Sequence, residues 1–304
     1  MIRLGIDLGG TKIEAALLND AGQTVWRNRI PSPQHHYPST LQAIAALVDL
    51  ADQAARDHGP NGPIAQIGIG IPGSISPTTG LVRNANSTWL NGQAFQQDLE
   101  QQLGRHVRLA NDANCLVLSE ATDGAAKDAA VVFGVILGTG VGGGLTIHRE
   151  LITGRHAITG EWGHNPLAGD PHASVSPAPR CWCGRRGCLE TLISGPALVS
   201  AYGDATRVTS VPDLLAHRAQ GDPVAAKIME SFYDRLARAL ATVINLIDPD
   251  CIVIGGGLSQ IEELYTEVPA RWHRWVFHDD AVTTPLKAAA HGDASGVRGA
   301  AWLW

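Results

Sequence analysis

The segment Cys181-Trp-Cys183-Gly-Arg-Arg-Gly-Cys188-Leu-Glu190 gathers three of the chain's 5 cysteines in one short loop, and Glu161-Trp-Gly-His164 precedes it. Three thiolates and one imidazole make a complete tetrahedral donor set for zinc. Gly184 and Gly187 permit the tight turns that bring Cys183 and Cys188 to one ion. A closed four-ligand site has no position left for water, so the expected metal is structural, held by His164, Cys181, Cys183 and Cys188. Such a centre would also draw the carboxylates of Glu161 and Glu190 together. The same residues could be three reduced thiols beside an unrelated histidine, but their dense spacing favours zinc.

A chain of 304 residues, 44% hydrophobic and 17% charged, can bury a sizeable core and suggests two domains. Its net charge of -6 argues against nucleic acid or an anionic membrane surface as partners. No apolar run approaches the ~20 residues of a membrane span. A strand begins almost at the first residue, leaving no room for a signal peptide. With clustered thiols, that reads as a protein of the reducing cytoplasm.

The chain opens as a meander, with strands expected at Leu4 to Leu8, Thr11 to Leu18 and Gln23 to Ile30. Its first turn, Asp7-Leu8-Gly9-Gly10-Thr11-Lys12, offers backbone N–H groups, a hydroxyl and a cation to an anion, and Asp7 a carboxylate to a magnesium–phosphate complex. An ordinary hairpin turn would look the same. Ser39-Thr-Leu-Gln42 reads as a capping box starting a helix that runs to about His58. The loop from Asn84 to Asn91 mixes amides, hydroxyls and Trp89, which suits a sugar. Asp112 stands where a strand, Val107 to Ala110, gives way to a helix. It can cap that helix, or meet a ligand at the carboxyl end of the strand as a general base.

A second apolar strand, Ala129 to Leu137, leads into Gly138-Thr139-Gly140-Val141-Gly142-Gly143-Gly144 and a strand from Leu145 to His148. This matches G-x-G-x-x-G, but a dinucleotide site needs a helix after the glycines, and here a strand follows. No Walker-type G-x-x-x-x-G-K-[ST] occurs. Strand, glycine turn, strand therefore happens twice. Asp222-Pro223 starts a helix expected to end near Ile247. A strand at Cys251 to Ile254 then enters a third glycine loop, Gly255-Gly256-Gly257, read as opening a helix. Three such loops suggest one extended phosphorylated ligand.

Taken in order, Ile6-Asp7-Leu8-Gly9-Gly10-Thr11-Lys12, Asn111-Asp112-Ala113-Asn114, Leu137-Gly138-Thr139-Gly140, Gly160-Glu161-Trp-Gly-His164 and the cysteine motif resemble the ROK sugar kinases, of the actin-like ATPase superfamily. Within that family Asn84 to Gly92 and Gly292-Asp293-Ala294-Ser295 look like the bacterial fructokinases, or manno(fructo)kinases. The resemblance implies an α/β fold of duplicated, ribonuclease H-like domains with an interdomain cleft. Residues 1–118 would form the N-terminal domain, with the helix at about 292–304 packing back on it. Residues 119–291 would form the C-terminal domain carrying the zinc motif.

By the same resemblance, ATP phosphates meet Gly5 to Lys12 and Leu137 to Gly144, and Gly256 and Gly257 lie by the adenosine. The sugar meets Gly73, Asn86, Asn111, Asp112, Glu161, His164 and Glu190. Asp112 is then the general base for γ-phosphoryl transfer from ATP, with Mg2+ near Asp7, to a hexose, D-fructose first and mannose, glucose or N-acetylglucosamine next. A homodimer is usual for the family. A sugar-responsive regulator of the family would carry a helix-turn-helix domain ahead of the phosphate loop, whereas Met1 stands six residues before Asp7. A zinc hydrolase needs an open ligand position, and a merely sugar-binding protein has no use for Asp112 and three glycine loops.

Overall fold

Two five-stranded sheets with the same strand order organise the chain. The computed structural model describes residues 1–56, 64–167, 169–170, 178–278 and 280–304. By its internal contacts the chain divides into one unit of residues 1–128, 144–159 and 290–304 and a second of residues 129–143 and 160–289. Residues 119–128, 144–159 and 290–291, expected from the sequence in the C-terminal domain, thus group with the first unit.

In the first unit β1 (Arg3–Leu8), β2 (Lys12–Leu18) and β3 (Thr24–Pro31) form the antiparallel meander. Helix α1 (Tyr37–Ala55) leads to β4 (Gln66–Ile71), and the short pair β5 (Ser74–Ile75) and β6 (Val82–Arg83) follows. Then come α2 (Phe95–Leu103), β7 (Val107–Asn111) and α3 (Asp112–Thr122). The sheet order is β3-β2-β1-β4-β7, with β4 parallel to both β1 and β7. Ile6, Ile67 and Ile69 on these strands pack with Ile44, Leu47 and Val48 of α1 in one buried cluster. Helix α1 starts before the expected capping box. His36 is its N-cap, its ring accepting the Ser39 N–H, because Pro38 with its fixed φ suits a first turn and lacks the N–H a later position needs. The expected end near His58 lies outside the described residues.

The C-terminal helix, Ser295–Ala301, packs on β1, β2, β4 and α3. Glycines make that approach possible. A Cβ on Gly5 would sit 1.9 Å from the Val297 carbonyl oxygen, one on Gly68 1.8 Å from that of Ala300, and one on Gly299 1.7 Å from that of Cys115. Glu120, fully buried on α3, fastens the segment by accepting from the Ala290 and His291 N–H groups and the Ser295 hydroxyl.

In the second sheet β8 (Val131–Leu137), β9 (Val141–Ile147), β10 (Glu150–Leu151), β11 (Cys251–Gly255) and β12 (Leu286–Ala288) run in the order β10-β9-β8-β11-β12. Helices α4 (Glu190–Ile193), α5 (Gly195–Tyr202), α6 (Val211–Ala219), α7 (Pro223–Ile247) and α8 (Leu264–Glu267) belong to the second unit. Asp222 caps α7 by accepting from Val224 and Ala225, as its sequence indicates. Two expectations change. Gly142, Gly143 and Gly144 lie inside β9 rather than in a loop, and Gly257–Gln260 is a single 3-10 turn rather than the start of a helix. Gly143 is a glycine because Trp162 crowds it, leaving 2.8 Å between a Cβ there and the indole ring. No helix among the described residues is long and apolar enough to cross a membrane.

Gly68→Ala should therefore destabilise the first unit by about 1–3 kcal/mol or more, since helix and strand would have to part. Thermal unfolding checks this, and an unchanged Tm would contradict the packing.

Candidate functional site

The turn between β1 and β2 is closed by the Gly9 N–H donating to the Lys12 carbonyl at 2.9 Å. The Gly10 carbonyl accepts from the Gln34 side chain, and a Cβ on Gly10 would lie 3.6 Å from the Ser87 hydroxyl. The turn and the 84–91 loop are thus neighbours within the first unit. Gly10 and Thr11 are exposed, and Gly9 and Lys12 partly so. Gly5, Ile6 and Leu8 are buried in β1, so their part in the expected phosphate loop is to set the strand beneath it.

Asp7, at the end of β1, sits opposite Glu14 in the sheet register. Its carboxylate backs onto Gly70 and Gly296, where a Cβ would lie 3.7 Å and 3.1 Å from it. Burial first, and then the charges of Asp112 and Glu14, push its pKa from 3.8 up to about 7, against Lys12 and Arg29. Glu14 itself is 2% exposed and paired with Arg27 and Arg29. Burial also holds the Cys115 thiol well above its usual range, with Asp7 and Asp112 adding to it, so Cys115 is protonated core.

Asp112 is exposed at the first position of α3. The cap is Asn111, whose side-chain oxygen accepts the Ala113 N–H at 2.9 Å; Asp112 Oδ1 shares that donor at 2.8 Å. Asn111 also donates to the Gly73 carbonyl at 3.1 Å, so its amide ties two expected sugar contacts to each other. Gly73 has φ 77° and no room for a side chain, its Cβ meeting the Arg83 carbonyl at 2.4 Å. Asn86 is exposed. Trp89 and Asn91 are both engaged by protein groups, Trp89 on α1 and Asn91 within the loop. Trp89 donates to Thr40 and Asn91 bonds both ways with the Ala85 backbone.

The second unit holds the cysteine knuckle. Gly184 and Gly187 take φ 89° and 68°, the left-handed turns the motif requires. The donor atoms of His164, Cys181, Cys183 and Cys188 all lie within 4.8 Å of one another. Cys183 and Cys188 sulfurs are 3.6 Å apart, as are the Cys181 sulfur and His164 Nδ1. A tetrahedron with Zn–S near 2.3 Å has edges of roughly 3.8 Å, so this donor set fits zinc. His164 turns Nδ1 to the cysteines and Nε2 toward Glu161, 4.0 Å from its carboxylate. One ring nitrogen is thus placed for a metal and the other for a second partner.

Glu190, at the start of α4, is gripped on both oxygens. Oε2 accepts the Val141 N–H at 3.0 Å and Oε1 the Trp182 indole N–H at 2.7 Å. The Val141 amide, expected to face phosphate, is engaged here by a carboxylate. Gly138 is also used internally, donating to the Gly140 carbonyl and accepting from Gly195. A Cβ on Gly140 would lie 2.6 Å from Glu190, and one on Gly256 2.4 Å from the carbonyl of the buried Leu137, whereas Gly257 opens to free space. Thr139 is exposed at the tip of this turn. Two tryptophans escaped the sequence reading. Trp162 donates to the Gly142 carbonyl, and Trp182 reaches Glu190. An aromatic between two cysteines of the motif is the signal that could have marked Trp182.

Cys183→Ala should release the metal, read by metal analysis; a variant with the full wild-type zinc content would refute the knuckle as a zinc site. Asp7 gives a pH prediction. Below pH 4 its carboxyl is neutral folded and unfolded. Between about pH 4 and 7 the folded state keeps a proton the unfolded state has lost, so stability falls as pH rises. Asp7→Asn should raise Tm at pH 8 by an amount worth a few kcal/mol and leave it near wild type at pH 4. An equal effect at both pH values would contradict the burial of this carboxylate.

The ROK family model matches residues 3–304. An N-acetyl-D-glucosamine kinase of Yersinia pseudotuberculosis serotype IB is 40% identical over 303 residues, covering 98% of this chain and 97% of that protein. One from Escherichia coli O139:H28 is 39% identical with 98% of both covered. Among solved structures, the ROK hexokinase from Thermus thermophilus aligns at TM-score 0.84 and 29% identity, covering 99% of this chain and 97% of that one. A ROK glucokinase from Streptomyces griseus, in complex with glucose and AMPPNP, aligns at 0.76 and 26%, covering 99% and 98%. The matched family model and these relatives, joined to the repeated sheet order and the cysteine knuckle, show that the chain has the actin-like ATPase fold and belongs to the ROK family.

Proposed function

We propose that this protein is an ATP-dependent hexose kinase whose preferred substrate is N-acetyl-D-glucosamine. The observation that supports it most is the 40% identity, over nearly the whole chain, to proteins named for that activity. The fructose preference read from residues 84–92 is set aside. No relative cited above is a fructokinase, and in that loop Trp89 is bonded to Thr40 of α1 and Asn91 to the Ala85 backbone.

Asp112 accepts the proton of the attacking sugar hydroxyl, and its exposed place at the end of β7 and start of α3 suits that role. Glu161, His164 Nε2 and Glu190 orient the sugar through their remaining hydrogen-bonding positions. ATP phosphates are met by Gly9 to Lys12 and by the turn at Gly138 to Gly140, with adenosine near Gly257. Mg2+ supplies charge neutralisation for the β- and γ-phosphates. Asp7 ionises fully where such a cation offsets its burial. His164, Cys181, Cys183 and Cys188 would hold a zinc ion that would stiffen the knuckle and take no part in bond making.

ADP release measured across N-acetylglucosamine, glucose, mannose and fructose should give the highest kcat/KM for N-acetylglucosamine. Asp112→Asn should lower kcat by ~10²–10⁴-fold with KM little changed. Wild-type turnover by that variant would remove Asp112 as the base, and fructose outrunning N-acetylglucosamine would overturn the substrate.

A further inference from the structure

Trp182 stands between two cysteines of the knuckle and remains 64% exposed, among the most exposed large apolar side chains described. Burying an indole is strongly favourable, so one left in water beside a built polar site calls for a reason. It does not hang loosely there. Its N–H donates to Glu190 Oε1 at 2.7 Å, and its ring stands nearly perpendicular to the His164 imidazole, centroids 5.1 Å apart at 79°. Cys181 and Cys183 flank it in the chain. Two residues assigned to the sugar therefore share one rigid aromatic neighbour, whose apolar surface is left uncovered.

We infer that Trp182 is a specificity-determining residue of the sugar site. Its N–H holds the Glu190 carboxylate in the orientation that also receives the Val141 N–H, and its exposed ring packs against an apolar group of the substrate, the acetamido methyl of N-acetylglucosamine. This rests on the kinase reading above. Glucose has only a hydroxyl at that carbon, so the ring favours the acetamido sugar, while the Glu190 contact serves both.

The two functions separate by substitution. Trp182→Phe keeps an aromatic ring and loses the N–H; Trp182→Ala loses both. Steady-state kinetics on N-acetylglucosamine and on glucose would be run with zinc content and Tm on the same samples. Trp182→Ala is expected to retain zinc and to raise KM for N-acetylglucosamine by roughly tenfold or more, with a smaller rise for glucose, the scale of a lost apolar contact. Trp182→Phe should weaken both sugars alike and restore their ratio. An unchanged ratio in Trp182→Ala with zinc retained overturns the inference, as does loss of zinc with an equal fall on both sugars, which would make the ring a cover for the metal. Wild-type protein that turns over no hexose would instead sink the kinase reading, and the inference with it.

Discussion

The Glu190 carboxylate is the tie on which the second unit's chemistry depends. One oxygen is held by the backbone of the glycine turn and the other by a tryptophan of the cysteine knuckle. A carboxylate with both oxygens paired has little rotational freedom, and charge-assisted bonds are the stronger class. The knuckle therefore does more than gather a donor set that fits a metal. Through Trp182 and Glu190 it sets the position of Val141, and through His164 it aims Nε2 toward Glu161.

The first unit solves a different problem. Asp7 sits among protein atoms at the end of a strand, and the structure keeps it there at a cost that appears as a pKa near 7. Glycines at 70 and 296 bring backbone against the carboxylate, while Lys12 and Arg29 only partly offset the burial. Such a group ionises more readily with a cation beside it than alone.

Glycine serves three separate purposes here, and the sequence does not label which. At Gly184 and Gly187 it allows left-handed turns, as the motif spacing suggests. At Gly5, Gly68 and Gly299 it lets the C-terminal helix lie against the sheet, which no local pattern reveals because the partner is nearly 300 residues away in the case of Gly5. At Gly143 it makes room for Trp162, although G-x-G-x-x-G alone looks like a nucleotide loop. A glycine's neighbour, rather than its motif, decides what it does.

Much was nevertheless legible. The alternation of apolar strands and glycine turns, the Asp222-Pro223 helix start, the clustering of His164 with Cys181, Cys183 and Cys188, and the place of Asp112 at a strand-to-helix junction follow from residue type and short-range spacing, because turns, caps and tight side-chain clusters are local physics. The helix cap at His36, the inward duty of Trp89 and Asn91, and the Trp182–Glu190–Val141 tie were settled only by folding. Each depends on a side chain finding a partner that chain order places elsewhere, and sugar-like polarity in a loop says nothing about whether those polar groups are already taken. The primary structure determined the family; the tertiary structure decided which polar groups the protein already engages itself.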